Sequence, residues 1–141
     1  MAMYGLSLAS TVTTTTAASW DCKAGANESI IREFGVVNGA ATTSSYGYGV
    51  AANVPVQTGG VALVGSEGGG GSGVATCAVA WSTAPTVPAA FVRRTYLKAE
   101  IGDVKIFTFP RGFVLQAGTS FVQWNITANS ALVSVHILCD E

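Results

Sequence analysis

Apolar and polar positions alternate along much of this chain with a period of two. In residues 121–126, Val122, Trp124 and Ile126 share one side and Gln123 and Asn125 the other. In residues 132–139, Val133, Val135, Ile137 and Cys139 share a side, and Ser134 and His136 point away. Period two marks a β-strand with unlike faces. The short polar linker Thr127-Ala128-Asn129-Ser130 between them predicts an antiparallel hairpin. Upstream, residues 104–109 and 113–116 flank Pro110-Arg111-Gly112, a turn signal, and Gln116-Ala117-Gly118-Thr119 turns the chain again. Residues 107–137 therefore read as a four-stranded meander. Residues 28–37 also alternate, with Ile31, Glu33, Gly35 and Val37 opposite Arg32, Phe34 and Val36, and Asn38-Gly39 follows as a turn. This segment reads as a strand. No stretch sustains a period of 3.6. The pattern predicts a single-domain, all-β chain: an antiparallel β-sandwich, jelly-roll-like.

Three segments break the alternation. Residues 66–73 are nearly all glycine and serine and predict a flexible loop tip. Residues 83–90 carry Pro85 and Pro88 and predict an extended run across the surface. Residues 10–19 are almost wholly Thr, Ser and Ala. They predict an N-terminal arm or edge strand, which divides the chain into residues 1–19 and a β-sandwich over 20–141.

Composition narrows the chemistry. Charged residues make up 11% of the 141, the net charge is −1, and His136 is the one histidine. An ordinary soluble domain carries about 25% charged residues. So weak a field offers nothing to nucleic acid or an acidic membrane, and a near-neutral surface favours association. Cys22, Cys77 and Cys139 have neither disulfide-framework nor zinc-site spacing. Cys77, among small apolar residues, reads as a small buried hydrophobe and Cys139 as similar, and a reducing cytoplasm disfavours a disulfide among the three. The first residues lack the basic and apolar regions of a signal peptide, so synthesis in the cytoplasm without secretion is expected.

No motif for catalysis emerges. The Gly68–Gly71 run has no following Lys and no helix, so it is not a phosphate loop. Tyr46-Gly47-Tyr48-Gly49 lacks the rest of a dinucleotide fingerprint. No serine sits in a nucleophile elbow to serve His136. Glu100 and Asp103 flank Ile101-Gly102 and read as a solvated turn, and no calcium-type cluster occurs. No catalytic, metal or cofactor residue is expected.

Binding candidates remain. Arg93, Arg94 and Arg111 form the only basic concentration, too small for a nucleic-acid face but suited to a protein partner. Tyr46 and Tyr48 fall on one side of a strand and predict an exposed patch, which also raises a sugar platform. Trp81 precedes the proline segment and packs as its anchor. With Pro85 and Pro88, these are the interface candidates.

The order of Trp81 to Arg94, Ile106-Phe107-Thr108-Phe109-Pro110-Arg111-Gly112-Phe113 and Val122-Gln123-Trp124-Asn125 follows Ile31-Arg32-Glu33-Phe34-Gly35 and Tyr46 to Pro55. It resembles small β-rich proteins encoded among the structural genes of tailed bacteriophages and prophages, some of them capsid cement or decoration proteins. The resemblance covers residue 30 onward and rests on structural residues. It implies a non-enzymatic virion protein on the capsid exterior, made in the host cytoplasm. Its partners would be the major capsid protein and itself, as a trimer or dimer, with no nucleic acid or membrane. The alternatives are a tail or baseplate component of the same fold and a carbohydrate-binding module.

Overall fold

A computed structural model describes residues 2–11, 17–65, 71–126 and 132–141. The described residues form strands and connecting turns, with no helix. The strands are β1 (Met3–Thr11), β2 (Ala18–Lys23), β3 (Ser29–Asn38), β4 (Ser44–Val50), β5 (Val56–Gln57) and β6 (Val61–Gly65). They continue as β7 (Ser72–Ala78), β8 (Trp81–Thr83), β9 (Arg93–Leu97), β10 (Val104–Leu115), β11 (Ser120–Asn125) and β12 (Leu132–Asp140).

Ten of them make one antiparallel sheet in the order β10-β3-β12-β1-β6-β7-β2-β11-β4-β9. The sheet curls until its two end strands approach each other. The Arg93 guanidinium on β9 lies 5.2 Å from the centre of the Phe109 ring on β10. The result is a nearly closed barrel, in which only the β9–β10 seam lacks a ladder. Strands β5 and β8 pair separately as a two-stranded ribbon.

The core follows from the alternation. Phe34 on β3 is fully buried, with ring centres 4.4 Å from Tyr48, 5.0 Å from Phe107 and 5.2 Å from Phe121. Trp20, Cys22, Tyr46, Val133, Val135 and Ile137 are buried around it. Burying each large apolar side chain contributes roughly 1.5–3 kcal/mol.

Several expectations change. Residues 3–11 are neither arm nor edge: β1 lies between β12 and β6 and pairs with β12 from Met3–Asp140 through to Thr11–Leu132. Residues 12–16, the middle of the Thr-rich stretch, lie outside the described residues, as does most of the glycine run, 66–70. Strands β11 and β12 do not form a hairpin. Strand β11 sits between β2 and β4, and β12 between β1 and β3, so each is stabilised by distant partners. The meander is absent for the same reason.

Nor does Pro110-Arg111-Gly112 end a strand. Thr108 pairs with Glu33 and Phe113 with Ile31, so residues 109–112 bulge against Arg32 alone. Gly112, at φ 77°, supplies the left-handed conformation that the bulge needs.

Candidate functional site

A second layer covers one outer face of the barrel. Val122 on β11 pairs with Asp21 on β2 and Gly49 on β4, and these three positions face that layer. The segment from Ala84 to Phe91 crosses Gly47 and Gly49 as a strap. A methyl group on Gly47 would stand 2.5 Å from the Phe91 ring, and one on Gly49 2.4 Å from the Ala90 carbonyl oxygen. Asn53 clamps the start of the strap. Its Nδ2 donates to Ala84 O at 2.9 Å, and its Oδ1 accepts from the Thr86 backbone at 2.9 Å. The Val92 N–H, donating to Tyr48 O at 2.8 Å, fixes the far end.

Beneath the ribbon lies Asp21, completely buried. Its Oδ1 accepts from Trp81 Nε1 at 2.9 Å and from Gln57 Nε2 at 2.9 Å. Its Oδ2 makes no hydrogen bond of good geometry, though the Ser120 hydroxyl is near enough to favour the carboxylate. Burial raises the Asp21 pKa, and the Trp81, Gln57 and Ser120 contacts and Lys23 oppose that rise without cancelling it.

This arrangement redistributes the sequence candidates. Tyr46 and Tyr48 are core residues without exposure, so neither presents a patch to a sugar or a protein. Burial pushes both phenols above their usual range. Gly47 and Gly49, which alternate with them, are what let the strap approach, and the tyrosines are forced inward by the same alternation. Pro85 and Pro88 are also buried beneath the surface of the strap, not displayed on it. Trp81 is half-buried and does anchor the segment, through Asp21.

Arg93, Arg94 and Arg111 are exposed, and the fold assigns all three to the strands that border the open seam. Arg94 stacks at 5.0 Å over Phe91 at the end of the strap. None of the three forms an ion pair among the described residues. The same two strands and their joining turn carry exposed apolar side chains, interspersed with the exposed Lys98 and Glu100. Tyr96 on β9 is 58% exposed, Val104 and Ile106 on β10 are 46% and 55% exposed, and Ile101 in the joining turn is 70% exposed. These four escaped the sequence reading because β9 and β10 were not expected to be neighbours. The alternation in β10 did signal two of them: Val104 and Ile106, with Thr108, fall opposite Lys105, Phe107 and Phe109.

The turn carrying Glu100 and Asp103 is structural. Asp103 Oδ2 accepts from the Lys98 backbone N–H at 2.8 Å, and this contact, with Lys105 beside it, holds its carboxyl below the usual range. His136 lies on the outer face of β12, with Nε2 3.1 Å from Glu33 Oε1 and its ring above Gly35. Among the described residues, no group of three or more His, Cys, Asp or Glu side chains is placed to hold a metal ion. A pocket of about 150 Å³ beside Tyr4 and Val74 is lined partly by Glu141, whose carboxylate accepts from the Val74 and Ala75 N–H groups.

No family model, curated protein or solved structure matches the chain.

Proposed function

We propose that this protein is a structural component of a tailed-bacteriophage virion, a cement or decoration protein on the capsid exterior that binds the major capsid protein. The reading starts from the sequence resemblance. The observation that carries it further is the border of the β9–β10 seam, where Tyr96, Ile101, Val104 and Ile106 are exposed beside Arg93, Arg94 and Arg111. Aromatic and arginine side chains are enriched in protein interfaces. Free strand edges add unpaired N–H and C=O groups that a partner strand can satisfy.

The mechanism is physical. Each attached copy adds buried area at a junction between capsid subunits, so more contacts must break before the shell opens. A specific interface buries on the order of 1,600 Å². A surface poor in charge lets the chain dock without stranding unpaired ions. A homo-oligomer, trimer or dimer, multiplies weak single contacts by avidity.

We also read the barrel as jelly-roll-like. Strands β10-β3-β12-β1 lie on one side of the order and β2-β11-β4-β9 on the other. The chain passes between these two sets at every step from β1 to β4 and again at every step from β9 to β12, which is the crossing pattern of paired Greek keys.

The test is the copy number in purified virions, together with binding of the purified protein to expanded shells. Hundreds of copies and saturable binding that raises the temperature of shell rupture are expected. A handful of copies confined to the tail, or none, overturns the capsid assignment.

A further inference from the structure

Cys22, Cys77 and Cys139 are free thiols, and all three are fully buried. Their placement is specific. Cys22 on β2 and Cys77 on β7 are direct partners in antiparallel register. Cys139 on β12, a strand not paired with β2, meets Cys22 from across the interior. Opposed residues in an antiparallel ladder have Cα atoms about 4.5–5.5 Å apart. A disulfide spans roughly 4.4–6.8 Å between Cα atoms, so the Cys22–Cys77 register suits one without moving the backbone.

The ladders that hold the β6–β7 hairpin to its neighbours are short. Among the described residues, only Asp21–Ala78, Cys22–Cys77 and Lys23–Thr76 join β7 to β2. On the other side, among the described residues, only Tyr4–Gly65 and Gly5–Val64 join β6 to β1. The β6–β7 hairpin is thus laced to the barrel by short ladders on both sides, and short ladders open first. Cys139, by contrast, lies between the long ladders to β1 and β3.

We propose that Cys22 and Cys77 form a redox bolt: a disulfide oxidant reaching the opened β6–β7 hairpin closes a Cys22–Cys77 disulfide that fastens this hairpin to β2. Cys139 stays a thiol. With oxidised glutathione, the Cys77 thiolate attacks one glutathione sulfur, and the first glutathione leaves as a thiolate. The Cys22 thiolate then attacks the Cys77 sulfur of the mixed disulfide and expels the second glutathione. Two protein thiols lose two protons and two electrons, and one glutathione disulfide becomes two thiols.

The closed barrel resists this reaction. Contact with Cys22, and then burial, push the Cys139 thiol far above its ordinary range. At Cys22 the Cys139 contact works the other way, but the Cys77 contact and burial outweigh it, so this thiol too is held well above that range. Thiolate is the attacking species, so exchange proceeds from the opened hairpin.

The test uses the full reduced chain, held in oxidised glutathione with and without urea below the unfolding transition. It is then alkylated, digested and mapped by mass spectrometry. The expected map links Cys22 to Cys77 and finds Cys139 alkylated, with faster closure in urea. The oxidised chain should melt higher by on the order of 10 °C. Cys139→Ala should keep this gain and Cys77→Ser should lose it. The wild-type map decides the matter even if a variant fails to fold. A Cys22–Cys139 link, three alkylatable thiols after prolonged oxidation, or a linked chain that melts no higher each overturns the proposal.

Discussion

The indole N–H of Trp81 donates to Asp21 Oδ1 at 2.9 Å, tying the β5–β8 ribbon to a carboxyl group buried on the outer face of β2. Gln57, from the other ribbon strand, donates to the same oxygen. One buried acid therefore holds both strands of the outer layer. Its partners, Trp81 and Gln57, lie 60 and 36 residues away along the chain.

This arrangement sets a pH dependence. Unfolded, Asp21 ionises near pH 4. Folded, burial raises its pKa, and the Trp81 and Gln57 hydrogen bonds only partly offset that. Between the two values the folded protein holds the proton more tightly. Stability therefore falls as pH rises through that window, and the penalty is complete above the folded pKa. Asp21→Asn keeps an acceptor for Trp81 and removes the charge. It should match or exceed the wild type in urea denaturation at pH 8 and lose that advantage as pH falls through the window. Asp21→Ala should cost about 1–3 kcal/mol throughout, because the Trp81 donor is left unpaired. Parallel stability profiles for wild type and Asp21→Asn would contradict the assignment.

Strand content was legible from alternation, and pairing was not. The period in residues 132–139 placed β12 and its inward side correctly; in residues 28–37 it marked the strand β3 but not its faces, because a register shift at Arg32 turns Ile31 to the same core as Phe34 and Val36. In β11 the same rule misassigned the faces. Both of its sides are covered, and the polar side is the inner one: Gln123 accepts from the Tyr48 hydroxyl at 3.0 Å and donates to Ser19 Oγ at 2.8 Å. A polar residue satisfied in this way is indistinguishable in sequence from a solvated one. Likewise, Pro110-Arg111-Gly112 has the chemistry of a turn, and a bulge uses the same chemistry. The arginines of the candidate surface were legible as rare charges. Tyr96 and Ile106 depend on which strands border the seam, and that is a long-range outcome.

The strap depends on the absence of a side chain at Gly49. A methyl group there would meet backbone, the Ala90 carbonyl oxygen at 2.4 Å, as well as Pro88 at 2.9 Å, so a rotamer change gives no relief. Gly49→Ala should lift the strap and cost about 1–3 kcal/mol. Limited proteolysis should then cut within residues 84–92 of the variant before any other site. An unaltered cleavage pattern and melting temperature would show that the strap does not need this contact.

Asn38, fully buried at the end of β3, organises two turns at once. Its Nδ2 donates to Thr42 O at 2.9 Å and to Lys98 O at 2.7 Å, and its Oδ1 accepts from the Ala40 N–H at 3.2 Å. An aspartate has the same shape but, when ionised, turns a second acceptor toward the two carbonyls. Asn38→Asp should therefore destabilise more than Asn38→Ala at neutral pH, and Asn38→Ala should cost about 1–3 kcal/mol. Denaturant titration of the three proteins orders them. Equal stability of Asn38→Asp and wild type would mean that the donors contribute nothing.

At the seam, attachment and folding should separate. Ile106 points outward and is more than half exposed, so Ile106→Glu should change stability by no more than about 0.5 kcal/mol. Arg93→Ala loses the contact over Phe109, worth about 0.5–1 kcal/mol at an exposed site. If this border meets the shell or a second copy, one charge at its centre should weaken binding at least tenfold, because central interface residues carry most of the energy. The triple replacement of Arg93, Arg94 and Arg111 by alanine should act more weakly and should flatten the salt dependence of binding. Co-sedimentation with expanded shells at two salt concentrations measures both effects, and thermal melting of the free variants confirms that they remain folded. Folded variants that sediment with shells like the wild type would remove the seam from the interface and leave the strap side of the barrel as the surface to test.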